Sequence, residues 1–276
     1  QRALTNVLFS GKHFFSNNKW GVEWKISPTR SELYDPDVRF TRYETRGNTF
    51  SISTEVGFPE RIWRELSETN LAGQLNISRD YKAFGNDAKL KFGGAYTGKD
   101  RDYEIRSFAI NVRSIPLTGN PDELFYPENL WPYNGSLNRG TTYEARFVPN
   151  NFNKFNSNNE NIAFYISTEI TPFQNVKAIL GFRGESFVQR YTGQSQTDNI
   201  VLDNEELIND FDLFPTANLI YSINEKQNLR VSYSQTIARP SFKEMSYAEI
   251  YDPITGRTFV GGLFRDADDV AGIVYW

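Results

Sequence analysis

Apolar and polar side chains alternate along most of this chain, and the clearest stretch is Leu213–Met245. Alternation with a period of two predicts β-strands, because successive side chains of a strand point to opposite faces. Polar residues at Asn224–Gln227 divide the stretch into a hairpin. The apolar face of this hairpin carries Leu213, Pro215, Ala217, Leu219, Tyr221, Ile223, Leu229, Val231, Tyr233 and Ile237.

The same alternation recurs in runs of about ten residues, which is the length of a tilted membrane-spanning strand. Strands of soluble proteins average only about 5–6 residues. Counting the runs predicts roughly eight strands arranged as four hairpins. The additional apolar rows fall in Trp20–Ile26, Leu71–Ile77, Ala88–Tyr96, Ile162–Ile170 and Val176–Gly184.

Short and long connections alternate between these runs, as they do in transmembrane barrels with short periplasmic turns and long extracellular loops. The predicted fold is therefore an all-β, antiparallel transmembrane β-barrel in the bacterial outer membrane, and Tyr103–Val112 is expected to extend a strand above the bilayer. The short connections are Ser16–Lys19, Lys82–Asp87, Pro172–Asn175 and Asn224–Gln227, and the long ones are Leu33–Leu66, Lys99–Asn159, Thr192–Asp210 and the region from Arg239 onward.

The two faces of these strands give two sets of candidate residues. Long charged side chains on the polar face favour a wide, wet or plugged lumen, so the chain is expected to be a portion of a larger barrel. The predicted lipid-facing residues are Leu180, Phe182, Leu219, Leu229, Val231 and Tyr233. The predicted lumen-facing polar residues are Lys89, Lys91, Glu169, Arg183, Glu185 and Arg230.

The composition mainly excludes classes of function. The net charge is −4 with basic and acidic residues interspersed, which gives no basic patch for nucleic acid. The chain has no cysteine and a single histidine, His13, which is interpreted as structural. Arg183 and Glu185 lie two residues apart on one strand face, which favours a charge network over an acid–base pair. No enzyme activity, cofactor or metal is predicted.

One long connection carries several aromatic residues among asparagine and proline. Exposed rings of this kind suit stacking on a sugar ring or on an apolar ligand. Packing of the rings on each other to hold the loop in place is the alternative, and the sequence leaves both open. The candidate ligand-binding residues are Phe125, Tyr126, Trp131 and Tyr133.

Several short segments, in this order along the chain, resemble TonB-dependent outer-membrane receptors, most closely those of the Bacteroidetes type. The strongest is Ser232–Met245, SYSQTIARPSFKEM. The others are Gly11–Phe15 (GKHFF), Pro36–Arg39 (PDVR), Gly181–Glu185 (GFRGE) and Asp252–Gly256 (DPITG).

The resemblance implies a whole protein of about 22 strands around a plug domain, with ligand-gated uptake driven through TonB. Residues 1–276 are then a single partial barrel domain, because neither a plug nor terminal strands can be recognised, and both ends look cut. The expected partners are outer-membrane lipid, TonB, the protein's own plug domain, a surface lipoprotein and a small-molecule, glycan or peptide ligand. Two alternatives stay open: a passive porin or structural barrel of an envelope complex, and a soluble carbohydrate-binding β-sandwich.

Overall fold

The computed structural model describes residues 1–17, 19–52, 59–135, 138–195, 200–248, 250–252, 257–259, 261, 263–265 and 271–273. Nearly all of its regular structure is β-strand, and two single-turn 3-10 helices, Glu123–Phe125 and Pro127–Asn129, are the exceptions in the described ranges. Part of the DPITG segment, residues 253–256, lies outside these ranges. The strands are β1 Arg2–Asn6, β2 Phe9–Phe15, β3 Trp20–Phe40, β4 Tyr43–Arg46, β5 Thr49–Ile52, β6 Glu60–Ala83, β7 Asn86–Arg113, β8 Gly140–Ala145, β9 Lys154–Phe173, β10 Val176–Gln194, β11 Val201–Asn224, β12 Gln227–Ser234, β13 Ile250–Asp252, β14 Arg257–Phe259, β15 Leu263–Arg265 and β16 Ala271–Ile273.

One antiparallel sheet of ten strands dominates the fold, in the order β1-β3-β6-β7-β9-β10-β11-β12. Strands β1 and β2 pair with opposite ends of β3, so together they fill one strand position. β8 pairs with the C-terminal part of β7, from Phe108 to Arg113. Eight strand positions result, which confirms the predicted count and the all-β antiparallel class. The sheet ends at β1/β2 on one side and at β12 on the other, so it is not closed into a barrel.

The four predicted short connections each join two antiparallel neighbours at one end of this sheet. The turn between β6 and β7 consists of Phe84 and Gly85, both with positive φ. That combination is typical of a type I′ turn, whose twist matches that of the flanking strands. The four turns therefore mark the end that faces the periplasm in barrels of this kind.

Three predicted long loops are shorter in the structure than in the sequence prediction. β7 continues to Arg113, which confirms that Tyr103–Val112 extends a strand. The prediction of a loop over Thr192–Asp210 is wrong, because β10 continues to Gln194 and β11 begins at Val201. A strand that rises above the bilayer is wet on both sides, so its sequence loses the alternation that marks a buried face. The first long connection also shortens, since β3 continues to Phe40 and β6 begins at Glu60.

In the part of the strands near the hairpin turns, one face of the sheet is apolar and the other is polar. Cross-strand pairing puts Leu219 beside Val231, and Tyr221 beside Leu229, on what we call the apolar face. The side chains of these four residues are exposed, and no second sheet or helix covers them in the described part of the chain. This arrangement does not match the soluble β-sandwich alternative, because a sandwich buries such rows between two sheets. Among the described residues, no helix is long and apolar enough to cross a membrane.

Candidate functional site

A network of four charged side chains lies on the opposite face, which we call the polar face. Glu185 of β10 faces Asp212 of β11 in the register. Arg183 Nε donates to Glu185 Oε1 at 2.6 Å. Arg239 arrives from beyond β12 and donates through Nη1 to Glu185 Oε2 at 2.7 Å, and through Nη2 to Asp212 Oδ2 at 2.8 Å. The sequence pattern pointed to Arg183 and Glu185, and the structure adds Arg239 and Asp212.

A cleft of about 730 Å³ opens beside this network on the polar face. Its lining includes Asn161, Tyr165, Arg183, Glu185, Thr216 and Arg239. Guanidinium, carboxylate, amide and hydroxyl groups converge there, so the cleft offers both hydrogen-bond donors and acceptors. Such a surface suits a polar solute or a polar segment of another domain.

Residues 239–248, which we call the strap, run back over the polar face after β12. Phe242, Met245 and Tyr247 of the strap are buried. Phe242 and Tyr247 belong to a cluster in which the Phe155 and Tyr191 rings stack with centroids 5.6 Å apart. Tyr191 Oη also accepts a hydrogen bond from the backbone N–H of Tyr247 at 3.2 Å. The strap is thus held at one end by Arg239 and along its length by aromatic packing.

Gln189 lies fully buried between Asn159 of β9 and Ile208 of β11. Among the described residues, neither its Nε2 nor its Oε1 has a hydrogen-bond partner, and the Nε of Arg239 also lacks one. An unsatisfied buried amide costs about 1–3 kcal/mol.

We expect Gln189→Met to raise the free energy of unfolding by about 1 kcal/mol, because a side chain of similar length replaces the unpaired amide. Urea unfolding of the full-length protein measures this difference. Gln74→Met, at an exposed position of the same face, is the matched control and should change stability by under about 0.5 kcal/mol. A lower stability for Gln189→Met than for the parent protein contradicts the prediction.

The remaining predicted lumen-facing residues share the polar face. The register pairs Lys89 with Glu169 and Lys91 with Ser167. Lys177 Nζ lies 2.5 Å from Glu169 Oε1. Arg230 is exposed on β12 and pairs in register with Ile220, which faces Lys177. The six residues thus lie on one face, while the six predicted lipid-facing residues lie on the other.

At the end of the sheet opposite the hairpin turns, the carboxylate of Asp37 in a β-bulge helps to anchor the connection between β7 and β8. Asp37 has a positive φ of 54° and lies at a register shift between β3 and β6. It accepts hydrogen bonds from Arg61 Nε and Arg39 Nη2, both at 2.7 Å. The hydrogen bond from Arg61, together with that from Arg39, lowers the pKa of Asp37 to about 2 despite partial burial. Both guanidinium groups lie over the ring of Phe125, at 4.7 Å for Arg39 and 5.5 Å for Arg61.

A second carboxylate, that of the buried Glu123, ties the same connection to β4. Tyr43 Oη donates to Glu123 Oε1 at 2.7 Å, and Thr118 donates to Oε2 through N and Oγ1 at 2.8 Å. Burial alone raises the pKa of this carboxyl, but these hydrogen bonds outweigh it and the pKa is lowered. Burial and the neighbouring Glu123 raise the pKa of Tyr43. The loop is therefore fixed to the strands by two ionised carboxylates.

Acid should loosen this connection in a defined pH range. The folded-state pKa of Asp37 lies below its ordinary value of 3.8, so its stabilising effect is present above about pH 4 and is lost as the pH falls through about 2. Pepsin cleavage within residues 114–135 should rise as the pH falls from 4 to 2. In Asp37→Asn, cleavage should be high already at pH 4 and change less, whereas Glu44→Gln, at an exposed ion pair, should behave as the parent protein. An unchanged cleavage profile in Asp37→Asn contradicts this account.

The four predicted ligand-binding aromatics divide into two pairs. Phe125 lies between two guanidinium groups, and Tyr126 Oη accepts from Asn120 Nδ2 at 2.9 Å, so both help to hold the loop. The side chains of Trp131 and Tyr133 are exposed, Tyr133 at 87%. Ligand contact by Phe125, Tyr126, Trp131 and Tyr133 stays a prediction, and Phe125 and Tyr126 also make contacts within the loop.

Comparison with known proteins agrees with this architecture. The outer membrane protein beta-barrel family matches residues 132–255. Three solved structures share the fold: the siderophore receptor PiuA from Acinetobacter baumannii (TM-score 0.54, 14% identity), the ferric-catecholate import receptor Fiu from E. coli K12 in its open form (0.50, 13%) and FpvAI in complex with pyocin S2 (0.52, 12%). This chain forms part of an outer-membrane β-barrel. Each alignment covers 84% of this chain but only 32%, 35% and 26% of the respective receptors.

These matches bear on the sequence predictions. The chain spans about a quarter to a third of the length of those receptors. The predicted resemblance to TonB-dependent outer-membrane receptors is confirmed for the barrel fold, and the outer-membrane location is confirmed with it. The narrower Bacteroidetes type stays a prediction. Among curated proteins, no sequence matches the chain significantly.

Proposed function

We propose that the full-length protein containing this barrel is a TonB-dependent receptor that takes up a solute through a plugged lumen. The observation that carries the proposal is the polar face, where Arg183, Glu185, Asp212 and Arg239 form an ion-pair network beside a cleft. In a closed barrel the polar face becomes the lumen wall and the apolar face meets lipid. The six predicted lumen-facing residues then contact water, plug or solute, and the six predicted lipid-facing residues contact acyl chains.

The unpaired edges of the sheet support a larger assembly. Neither β1/β2 nor β12 has a second strand partner among the described residues. An open edge in lipid leaves backbone groups without hydrogen bonds, which bilayers do not tolerate. We therefore expect residues 1–276 to act as a partial barrel domain, completed by further strands, a plug domain and contacts with TonB. A surface lipoprotein is a further expected partner by resemblance alone.

The solute is expected to bind first at the extracellular end, where Trp131 and Tyr133 are exposed. Ferric siderophores are the first class to test, because two of the structurally similar proteins are a siderophore receptor and a ferric-catecholate import receptor. Glycans, peptides and vitamins follow as further classes.

Conductance and energy dependence together test the proposal. In planar bilayers the full-length protein should give no steady ion conductance, since a plug fills the lumen. Uptake of a radiolabelled ferric catecholate, ferric hydroxamate, oligosaccharide, peptide or vitamin B12 should stop when TonB is deleted. A steady open conductance with uptake that does not need TonB would instead identify a passive porin and contradict the proposal.

A further inference from the structure

An arginine lies on the apolar face, close to the hairpin turns. Arg79 of β6 pairs in register with Trp20 of β3 and Leu90 of β7, both on that face. Between the hairpin turns and the level of Pro28, it is the only lysine or arginine on the apolar face of the described strands. An arginine on the lipid side is strongly destabilising at mid-bilayer and costs almost nothing at the interface. Its position therefore needs an explanation in terms of membrane depth.

The Cα of Arg79 lies inside the apolar band, on the periplasmic side of its middle. Arg79 lies four residues from the end of β6 at Ala83, where the chain turns into β7. At about 3.4 Å per residue and a tilt of about 40°, its Cα lies roughly 10 Å above the turn. A long arginine side chain can extend from there to the polar boundary.

Among the described residues, the surroundings of Arg79 leave its guanidinium group open to an anion. Its guanidinium carbon lies 4.9 Å from the centroid of the Trp20 ring, a cation–π distance that leaves the N–H edge free. No carboxylate of the described residues lies within ion-pair distance of it. Tyr81 and Thr168 lie beside Arg79 on the same face, and their hydroxyl oxygens are hydrogen-bonded at 2.7 Å. A free guanidinium edge matches the geometry of phosphate oxygens.

We propose that Arg79 and Trp20 bind the phosphate of a glycerophospholipid in the periplasmic leaflet of the outer membrane. The indole holds the guanidinium flat, the N–H edge donates to two phosphate oxygens, and the lipid chains lie along the neighbouring apolar face. The site anchors the barrel at a fixed depth. It rests on the outer-membrane location and is independent of the transport proposal.

Native mass spectrometry of the full-length protein in detergent tests the site with phosphatidylglycerol as the probe. Arg79→Gln should weaken phosphatidylglycerol binding about fivefold, and Trp20→Leu about twofold. Arg79 is exposed, so neither folding nor yield should change. Arg230→Gln is the matched control, because Arg230 is equally exposed but lies on the polar face, and it should bind as the parent protein does.

Two further probes separate a lipid site from a general phosphate site. Diacylglycerol with the same acyl chains lacks the phosphate and should bind equally to the parent protein and to Arg79→Gln. Glycerol 3-phosphate lacks the chains and should not be retained by either. Equal phosphatidylglycerol binding by the parent and Arg79→Gln overturns the proposal, as does retention of glycerol 3-phosphate or an equal loss in Arg230→Gln.

Discussion

Replacing Arg239 with methionine should lower the free energy of unfolding by about 2–4 kcal/mol. This guanidinium bridges Glu185 and Asp212, and its side chain is only 16% exposed. Its removal leaves Asp212 without that cation in a largely buried position and frees the first residue of the strap. Urea unfolding in lipid vesicles, followed by tryptophan fluorescence, measures the change.

The control for this prediction is an ion pair of similar length at the surface. Arg46 Nη2 lies 3.0 Å from Glu44 Oε1, but its side chain is 83% exposed. Arg46→Gln should cost less than about 1 kcal/mol, since solvent screens exposed pairs. The loss of stability in Arg239→Lys should fall between these two values, because a single ammonium group cannot reproduce the planar guanidinium that donates to both carboxylates. Equal losses in Arg239→Met and Arg46→Gln would falsify the assignment of the strap to this network.

Leu219→Arg should destabilise the membrane-inserted protein by about 2–4 kcal/mol. Leu219 is exposed on the apolar face and lies five residues from the end of β11 at Asn224. That spacing places it about 13 Å from the turn, close to the middle of an apolar band about 25 Å tall. Reversible urea unfolding in phosphatidylcholine vesicles gives the difference from the parent protein.

Asn218→Arg is the matched control for Leu219→Arg. Asn218 is one residue away at the same depth, and it pairs with Ile179 and Ser232 on the polar face. An arginine there should cost less than about 1 kcal/mol, because it faces water. Equal effects of the two substitutions contradict the assignment of faces.

Much of the fold follows from local sequence, because a strand with one wet and one oily face imposes a period of two on its residues. Leu213–Ser234 shows this most clearly, and its predicted faces match the register residue for residue. The turn between β6 and β7 was also predictable, since Gly85 supplies the positive φ that the turn needs. These elements depend only on neighbours along the chain.

Contacts between distant residues were not predictable from the pattern. Arg239 and Glu185 are 54 residues apart, and no periodicity links them. The extended part of β11 was predicted as a loop, because its acidic residues Asp203–Asp212 hide the strand where both faces are wet. Arg239 could have been singled out only through its place in the SYSQTIARPSFKEM segment.

Lipid contact along one face of the sheet is most directly measured by spin labels placed one at a time from 213 to 223. The chain has no cysteine, so each introduced thiol is the only labelling position it offers. Collision with oxygen should be high at 213, 215, 217, 219, 221 and 223 and low at the residues between them, and collision with a water-soluble nickel complex should be high at 216, 218, 220 and 222, since Phe214 is buried. Accessibility without a period of two, or apolar positions shielded from both reagents, would contradict the barrel interpretation.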